Sequence, residues 1–597
     1  MAKNSLPARS EMDPAYCWDL TPIYKDVDAW EKDFKKLDQL LEKIQTFKGH
    51  LADSAETLRD AFKAEDEMAV IIDRLYHYAG HNHDADVTDP VYTALHDRIS
   101  ARDAEISGDT AWFTPELQAI PKKKMEAYLK SPVLAFYKRS LDEVARFRPH
   151  VLSEAEERIL GLSADALSTP GNIFKMLNDA DLVFPEIQNT KGKKVQVTHG
   201  NYSALQESSD RRVRKDSFSA VYDTYKGVAK TFAAILDGTV KAEVLNAKLR
   251  NYGSAREMAL FNDNIPLSVY DNLIDTVHAY LPALHRYFKL RAKIMGLKKL
   301  DMYDIRNPLV PGNDKAVPYE QAVKMVKHAM LPMGKEYCKI LDHAFTDRWI
   351  DVFECRGKRS GAYSGGFFRT PPVVLLNYSG TLDSVFTLAH ELGHSMHSYF
   401  SDHAQEYRYS SYRIFAAEVA STTNELLLYH DLMKQAQTKE EKASLINFLL
   451  DTIRGTAFRQ TMFAEFERDI YGWSESGTPL TEDALSDRYF ELNKLYHGPA
   501  VKADPRIRYE WSRIPHFHYN FYVYKYATGI SAAAALSQDI LNGKTDRYLN
   551  FLKSGDSKDV IDILKDAGVD FTTPAPVEAC MKLFDENVKA LEKLLKA

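Results

Sequence analysis

Helical periodicity is the feature of this sequence that most constrains its fold. In residues 29–49, AWEKDFKKLDQLLEKIQTFKG, the large apolar residues recur at steps of four and three: Trp30, Phe34, Leu37, Leu41 and Ile44. This spacing places them on one face of an α-helix, and Gly49 stands where such a helix would end. The same period returns in residues 60–80, 210–250 and 266–296 and in the closing stretch NVKALEKLLKA. The sequence therefore predicts a mainly α protein.

Two stretches predict short strands among these helices. LVFPEIQNTKGKKVQVTHGN alternates on both sides of a Lys-Gly centre, which predicts a β-hairpin near residues 182–198. PPVVLLNYSG, residues 371–380, is an apolar β-branched run. The hairpin either separates an N-terminal helical region, residues 1–200, from a larger region, residues 201–597, or lies on the surface of one continuous domain.

Composition excludes several classes of protein. Of the 597 residues, 45% are hydrophobic and 27% charged, and the net charge is −7, so the chain lacks the basic character of a nucleic-acid binder. The four cysteines are widely separated, which is not a disulfide framework and favours a reducing compartment. No run of about 18 apolar residues and no apolar signal-peptide core occurs in the sequence. We expect a cytoplasmic protein without nucleic-acid or membrane partners.

The stretch FTLAHELGHSMHSYF, residues 386–400, contains the pattern HExxH. On a helix, His390 and His394 lie one turn apart on the same face, so both imidazoles can reach one zinc ion. Glu391 can then act as general base on a zinc-bound water, because coordination lowers the pKa of water from 15.7 to about 7. The pattern alone is a weak signal, and the alternative is a solvated helix that carries these residues by chance.

His397 lies on the same face and is a candidate third ligand. A helix rises about 1.5 Å per residue, so a metal between His390 and His394 would lie about 7 Å along the axis from His397. Metzincins, HExxHxxGxxH, turn the chain at a glycine, but His397 occupies that position here and Phe400 replaces the last histidine. We therefore expect His397 to orient a ligand or to pack within the protein, with packing favoured.

A carboxylate from a later helix is the other route to a complete site, as in His₂Glu centres. Glu406 lies in a polar turn too close to the first helix. Glu418 and Glu425 lie in an amphipathic stretch, SYRIFAAEVASTTNELLLYHDLM, that can run back alongside the HExxH helix. Glu418 is flanked by alanines and valine, and a carboxylate in such surroundings needs a partner, for which a zinc ion is suitable. Glu425 lies further along the same face and can orient a ligand.

A second group of histidines lies in YHYAGHNHDAD, residues 76–86. His77 and His81 are also four residues apart, but no glutamate follows the first of them, and Gly80 weakens the helix. We interpret them as surface histidines.

Three motifs in order carry a resemblance to a known family: GTLDSVFTLAHELGHSMHS at 380–398, FAAEVASTTNELLL at 415–428 and IPHFHYNFYVYKYATGISAA at 514–533. Together they resemble the oligoendopeptidase F group, which belongs to the thimet oligopeptidase and neurolysin family of zinc metallopeptidases. The resemblance covers roughly residues 200–585. Weaker likeness extends through the preceding helices, where the group has its own N-terminal domain, here within about residues 110–190, so that residues 201–597 form the catalytic domain.

The resemblance implies roles for particular residues. It implies one zinc ion per chain, held by His390, His394 and Glu418, with Glu391 as general base and Glu425 beside the ligands. It also implies substrate binding and oxyanion stabilisation by a histidine and tyrosines near the C-terminus, for which His516, Tyr519 and Tyr526 are the best matches. His518, Tyr522 and Tyr524 in the same segment are further candidates. From the residues alone, a tyrosine-rich helix that packs its rings in a core is the favoured interpretation.

The implied fold is a multi-helical, elongated zincin with a deep substrate channel and a small β-sheet bordering the active site. The Gly-rich stretch GAYSGGFF and the strand PPVVLLNYSG correspond to that border. The implied activity is hydrolysis of internal bonds of short, unstructured peptides. Alternatives are a dipeptidyl carboxypeptidase-like exopeptidase, an aminopeptidase, for which no GxMEN-like stretch occurs, and a catalytically dead helical peptide-binding protein, against which an intact Glu391 argues.

Overall fold

The computed structural model describes residues 6–310 and 316–596. Within these residues the protein is mainly helical with three small β-sheets, which confirms the predicted fold class. The helices in chain order are α1 Val27–Gln45, α2 Ala55–Ala85, α3 Pro90–Thr110, α4 Phe113–Ala119, α5 Lys122–Leu129, α6 Lys138–Phe147, α7 Glu154–Lys175, α8 His199–Glu207, α9 Arg211–Gly227, α10 Ala229–Leu249, α11 Ala255–Phe261, α12 Leu267–Ile294, α13 Tyr319–Ala329, α14 Gly334–Thr346, α15 Leu382–Ala404, α16 Tyr407–Ser410, α17 Ile414–Gln435, α18 Lys439–Ile453, α19 Arg459–Glu475, α20 Glu482–His497, α21 Tyr524–Leu541, α22 Thr545–Leu552, α23 Val560–Asp566 and α24 Ala575–Lys596. The strands are β1 Glu186–Gln188, β2 Lys194–Gln196, β3 Leu300–Asp301, β4 Ile350–Asp351, β5 Tyr363–Gly365, β6 Val373–Leu375 and β7 Val501–Lys502.

The chain forms two compact units, each assembled from three stretches of sequence. The first contains the described residues of 1–149, 315–431 and 536–568, and the second those of 150–314, 432–535 and 569–597. The predicted division of the sequence at residue 200 stays a prediction. None of the helices in the described residues combines the length and apolar character that crossing a membrane requires.

In the first unit, the N-terminal helices share one apolar core with a three-stranded sheet. Trp30 and Leu37 of α1 and Leu75 of α2 are fully buried, and they belong to the same cluster as Val373 and Leu375 of β6. The strand order is β4-β6-β5, with β4 parallel and β5 antiparallel to β6, so that β5 is an edge strand of this sheet. The helical core thereby fixes the position of β5.

Helix α1 has the predicted buried face but ends at Gln45, four residues before the predicted end at Gly49. The Thr46 hydroxyl donates to the Lys43 carbonyl oxygen at 2.7 Å, which satisfies a carbonyl of the last turn. Short-range backbone bonds, such as Phe47 N–H to Ile44 C=O at 3.0 Å, then carry the chain to Gly49, whose φ is +85°. The glycine therefore ends the following turn instead of the helix.

The interpretation of residues 76–86 as surface histidines is wrong for His81. Its side chain is buried, and its Nδ1 lies 3.0 Å from the Tyr363 hydroxyl of β5. Burial lowers the pKa of His81 to about 3. A side chain at Gly365 would place its Cβ 2.9 Å from the His81 ring, so the glycine in β5 makes room for this imidazole.

In the second unit, the predicted hairpin is confirmed, since β1 pairs antiparallel with β2 and Glu186 lies opposite Gln196. A 3₁₀ helix, Pro505–Arg513, carries the buried Glu510. Arg459 donates to both Glu510 carboxylate oxygens at 2.8 and 3.2 Å, and the Tyr222 and Tyr489 hydroxyls donate at 3.0 and 2.7 Å. A buried charge needs such a full set of partners, and they hold the Glu510 pKa well below its usual range.

Candidate active site

Helix α15 carries the HExxH pattern and begins at a side-chain cap. The Thr381 hydroxyl accepts the Ser384 backbone N–H at 3.1 Å, and Asp383 stands in the first turn, where a negative charge is favourable. The helix continues without a break to Ala404. His390, Glu391 and His394 are therefore held on a regular helix.

Helix α17 packs directly against α15 at Gly393, the last variable position of the HExxH pattern. A Cβ at Gly393 would lie 2.5 Å from Ser421 Cα and 2.7 Å from the Ala420 carbonyl oxygen. The two helices are also joined near this point, because the Asn424 amide donates to the Ala389 carbonyl oxygen at 3.1 Å. This close approach brings Glu418 of α17 to the histidines of α15.

His390, His394 and Glu418 form a group of side chains that can hold a metal ion. One ligand atom from each lies within 4.8 Å of the others. The Glu418 Oε2 is 3.4 Å from His390 Nε2 and 3.7 Å from His394 Nε2. All three side chains are partly buried. Two imidazoles and a carboxylate are the donor set of His₂Glu zinc centres, so these residues fit a zinc ion.

The second ring nitrogen of His390 has its own partner. His390 Nδ1 hydrogen-bonds to the Glu425 carboxylate on α17, two helical turns after Glu418. Burial opposes protonation of His390, but the Glu425 bond and the negative charges of Glu425, Glu391 and Glu418 together outweigh it and raise the His390 pKa to about 9. This contact fixes the ring so that Nε2 faces Glu418, which is the arrangement that a metal-binding histidine requires.

Glu391 is buried beside this group, with 7% of its surface exposed. Burial raises its pKa to about 7; the His390 charge lowers it, and Glu418 and Glu425 raise it further. The Ser364 backbone N–H of β5 bonds to the Glu391 carboxylate and favours its charged form. The same strand reaches α15 again where the Ser364 and Ser395 hydroxyls meet at 2.8 Å. The small sheet therefore borders the HExxH helix, as the fold prediction states.

His397 lies outside the group of three. Its ring stacks on Tyr412 with centroids 3.6 Å apart and an interplanar angle of 6°. It is 1% exposed, and within the described residues its Nδ1 has no hydrogen-bond partner. Burial lowers the pKa of His397 to about 3, so the ring is neutral. These contacts are those of a packed histidine.

The aromatic candidates from the third motif lie in the second unit. His516 is in a 3₁₀ helix, Pro515–His518, and its Nε2 is 3.3 Å from the Tyr526 hydroxyl at the start of α21. The Tyr519 ring lies with its centroid 5.9 Å from that of His516 and is 51% exposed. The Tyr522 ring contacts both His516 and Tyr526, at 6.1 and 5.4 Å between centroids.

His518 and Tyr524, from the same segment, face the protein interior. His518 Nδ1 lies 2.9 Å from the Thr239 hydroxyl, and the imidazole ring packs on Phe174. Tyr524 is 1% exposed and contacts the Tyr270 ring. The geometry therefore groups His516 with the tyrosines at 519, 522 and 526 and separates these four side chains from His518 and Tyr524.

Sequence reasoning missed several residues that shape the site. Asn424 joins α17 to α15, and the Ser364 amide holds Glu391, but the single sequence marks neither residue. Gly393 occupies a variable position of HExxH, and the role of its missing side chain emerges only when the two helices are placed together.

Comparisons with known proteins show the family of the chain. Residues 204–583 match the model of peptidase family M3, and residues 116–184 match the model described as oligopeptidase F. Oligopeptidase PepF from Bacillus subtilis is 44% identical over 99% of this chain and 89% of its own length. The crystal structure of oligoendopeptidase-F from Enterococcus faecium is 37% identical, covers 95% of this chain and 98% of its own, and superposes with a TM-score of 0.74. A protein of known structure from Chlamydophila abortus is 36% identical, with a TM-score of 0.93 over 99% of this chain and 100% of its own.

Proposed function

Because the chain belongs to peptidase family M3 and is therefore a peptidase, we propose that it is a zinc-dependent endopeptidase that hydrolyses internal bonds of short oligopeptides. The observation that supports zinc most directly is the convergence of His390, His394 and Glu418 within 4.8 Å. The names of the relatives, oligopeptidase and oligoendopeptidase, support short peptides as substrates and internal bonds as the site of cleavage.

His390, His394 and Glu418 would hold one zinc ion per chain. When bound there, zinc supplies Lewis-acid chemistry, polarising the scissile carbonyl and acidifying water. The Glu425 carboxylate accepts a hydrogen bond from His390 Nδ1–H. This bond favours the tautomer with the proton on Nδ1, which leaves the Nε2 lone pair available to a metal.

Glu391 is the general base of the proposed reaction. Its carboxylate removes the proton from the attacking water and then delivers that proton to the leaving amine. Burial raises its pKa to about 7, near the range in which one group can both accept and release a proton. The Ser364 N–H bond keeps the carboxylate oriented.

His516, Tyr519 and Tyr526 bind the substrate and stabilise the negative charge that develops on the carbonyl oxygen. Burial lowers the pKa of His516, so its ring is neutral at pH 7 and has one N–H to donate. The contact between His516 Nε2 and the Tyr526 hydroxyl supports a joint role for these two side chains. The exposed Tyr519 ring is accessible to a peptide.

Short, unstructured peptides are the proposed substrates and partners. Strand β5 is an edge strand whose Ser364 N–H bonds to Glu391, so an extended peptide would pair with the other backbone groups of this edge. This mode of binding recognises the peptide main chain and imposes little selectivity for peptide side chains.

An internally quenched peptide that is acetylated at its N-terminus and amidated at its C-terminus tests the proposal. We expect cleavage at an internal bond, loss of cleavage with a chelator and recovery when zinc is restored. A protein that cleaves only peptides with a free C-terminal carboxylate would be a dipeptidyl carboxypeptidase-like exopeptidase. A protein that binds zinc and the peptide without cleaving it would be a dead peptide-binding protein. Either result contradicts the proposal.

A further inference from the structure

The segment of residues 515–526 contains a strained residue between its proposed substrate-binding side chains. Phe521 has φ +52°, which lies in the left-handed region that residues other than glycine rarely adopt. It stands between His516 and Tyr526, in the loop that joins the Pro515–His518 helix to α21. A conformation of this kind persists only when the surrounding structure holds it in place.

Glu467 of α19 supplies that support. The Phe521 backbone N–H donates to Glu467 Oε1 at 2.8 Å. The Glu467 side chain is fully buried, and within the described residues its Oε2 has no hydrogen-bond partner. The Phe521 ring lies next to Tyr270 and Tyr471, with centroids 5.7 and 4.7 Å away. Burying a carboxyl group that has one hydrogen bond to the protein costs folding free energy. The bond to the Phe521 N–H is therefore the contact that can explain a glutamate at this position.

The neighbours of Phe521 are anchored as well, but through their side chains. The Asn520 amide donates to Glu243 at 2.8 Å, and Lys525 Nζ donates to Asp263 at 2.8 Å. The two anchored residues lie between His516, Tyr522 and Tyr526 in the sequence. The rings of these three residues contact one another. Among these anchors, Glu467 is the one that binds the backbone at the point where it turns.

We propose that Glu467 is a positioning residue for the reaction: it holds the Phe521 amide and thereby sets the loop that places His516 and Tyr526 against the substrate. The inference rests on the proposed function, since it assigns Glu467 to the support of the side chains that stabilise the oxyanion. Glu467 itself contacts neither substrate nor zinc in this role.

The protonation state of Glu467 gives this role a pH signature. Burial raises the Glu467 pKa to about 8, so the carboxyl is neutral at pH 7. The titratable groups that sense its charge are the phenols of Tyr270 on α12, Tyr471 on α19 and Tyr524 on α21, and burial raises the pKa of each. Burial and the Phe521 N–H bond are what shift this pKa, and no cation of the described residues contributes. Ionisation above about pH 8 therefore places an uncompensated charge under the loop, whereas a glutamine at this position stays neutral.

Two substitutions of different chemistry test the proposal. Glu467→Gln keeps a carbonyl oxygen for the Phe521 N–H, and we expect a kcat within about twofold of the wild type at pH 7. Glu467→Met removes the acceptor, and we expect kcat to fall at least about tenfold with a smaller rise in KM, because the side chains that it misplaces contact the transition state as well as the bound substrate. At pH values above about 8, the kcat of Glu467→Gln should increase relative to the wild-type kcat, because only the wild type acquires a buried charge.

The control is Ile470→Ala, which weakens the buried face of α19 without removing a hydrogen bond. It should lower the melting temperature but keep kcat within about twofold. The proposal is overturned if Glu467→Met keeps its kcat, or if Glu467→Gln, Glu467→Met and Ile470→Ala lose kcat to the same extent.

Amide hydrogen exchange at Phe521 provides a readout that does not depend on activity. Exchange should accelerate in Glu467→Met and stay slow in Glu467→Gln and Ile470→Ala. Unchanged exchange in Glu467→Met would overturn the inference even in an active enzyme. A wild-type protein without peptidase activity would instead refute the proposed function, while the exchange experiment would still decide whether Glu467 holds the loop.

Discussion

At the scale of single residues, the two ring nitrogens of His390 have different partners, and this arrangement orients the imidazole in the site. Nδ1 bonds to Glu425, while Nε2 faces Glu418. The titratable groups of the site influence one another: the nearby carboxylates raise the His390 pKa to about 9, and burial raises the Glu391 pKa to about 7. Burial and the His390 charge keep the pKa of His394 below its usual value. Binding of the proposed zinc ion would therefore displace a proton from His390 but not from His394.

Zinc affinity should accordingly increase with pH. Below pH 9 the metal competes with the His390 proton, so the affinity should rise by up to about tenfold per pH unit between pH 7 and 9. In Glu425→Gln the partner that raises this pKa is lost, so the rise should become much shallower, and at pH 9 and above, where the His390 proton no longer competes in the wild type, affinity should fall by about 10–100-fold. Competition with a chromophoric chelator at several pH values measures both quantities.

The matched control is Glu406→Gln, because Glu406 is exposed and pairs only weakly with Arg369 at 3.2 Å. It should keep the wild-type slope and affinity. An equally steep rise in Glu425→Gln would show that His390 does not depend on Glu425 for its proton.

At the scale of secondary-structure elements, the site depends on two helices whose backbones touch. Gly393 permits this contact, since a Cβ there would lie 2.5 Å from Ser421 Cα of α17. Strand β5 completes the arrangement, because the Ser364 amide reaches Glu391. The histidines and Glu391 come from α15, Glu418 and Glu425 come from α17, and the spacing between the helices decides whether these residues meet.

Gly393→Ala tests this spacing. The added methyl group must push the helices apart, so we expect the free energy of unfolding to fall by about 1–3 kcal/mol and zinc affinity to fall with it. Gly472→Ala is the matched control, because Gly472 lies within α19 with nothing within 4 Å of an added Cβ. It should be neutral or slightly stabilising, since alanine favours helix over glycine. Equal stability of the two variants in denaturant titrations would refute the close contact of α15 and α17.

The elements show where sequence reasoning succeeds and where it stops. The HExxH helix, the amphipathic helix after it and the hairpin near residues 182–198 follow from periodicity and turn residues, which are local properties. Glu418 could be singled out because its alanine and valine neighbours imply burial. His81 could not, since its burial depends on the space left by Gly365, nearly three hundred residues away. Glu467 is likewise an ordinary glutamate until α19 is packed against the loop at Phe521.

At the scale of the whole molecule, the metal-binding group and the His516 group belong to different compact units of a member of peptidase family M3. The first unit contains all three proposed ligands, on α15 and α17, together with the sheet that borders them. Binding of zinc to the folded protein but not to the unfolded chain must therefore stabilise the unit that contains the site.

Removal of zinc should lower the melting temperature. At free zinc about 1,000 times the dissociation constant, the metal contributes about 4 kcal/mol, which shifts the melting temperature by several degrees. Calorimetry with and without chelator measures the shift, and it should disappear in Glu418→Ala, which lacks one of the three donors. A shift of the same size in Glu418→Ala would place the metal elsewhere.

The most direct measurement of the central claim is zinc content and peptide hydrolysis in the same sample of Glu391→Gln. The substitution leaves His390, His394 and Glu418 in place but removes the proposed general base. We expect about one zinc per chain, as in the wild type, and a kcat reduced by about 10²–10⁴-fold on the doubly blocked peptide. A variant that holds zinc and hydrolyses the peptide at the wild-type rate would contradict the account.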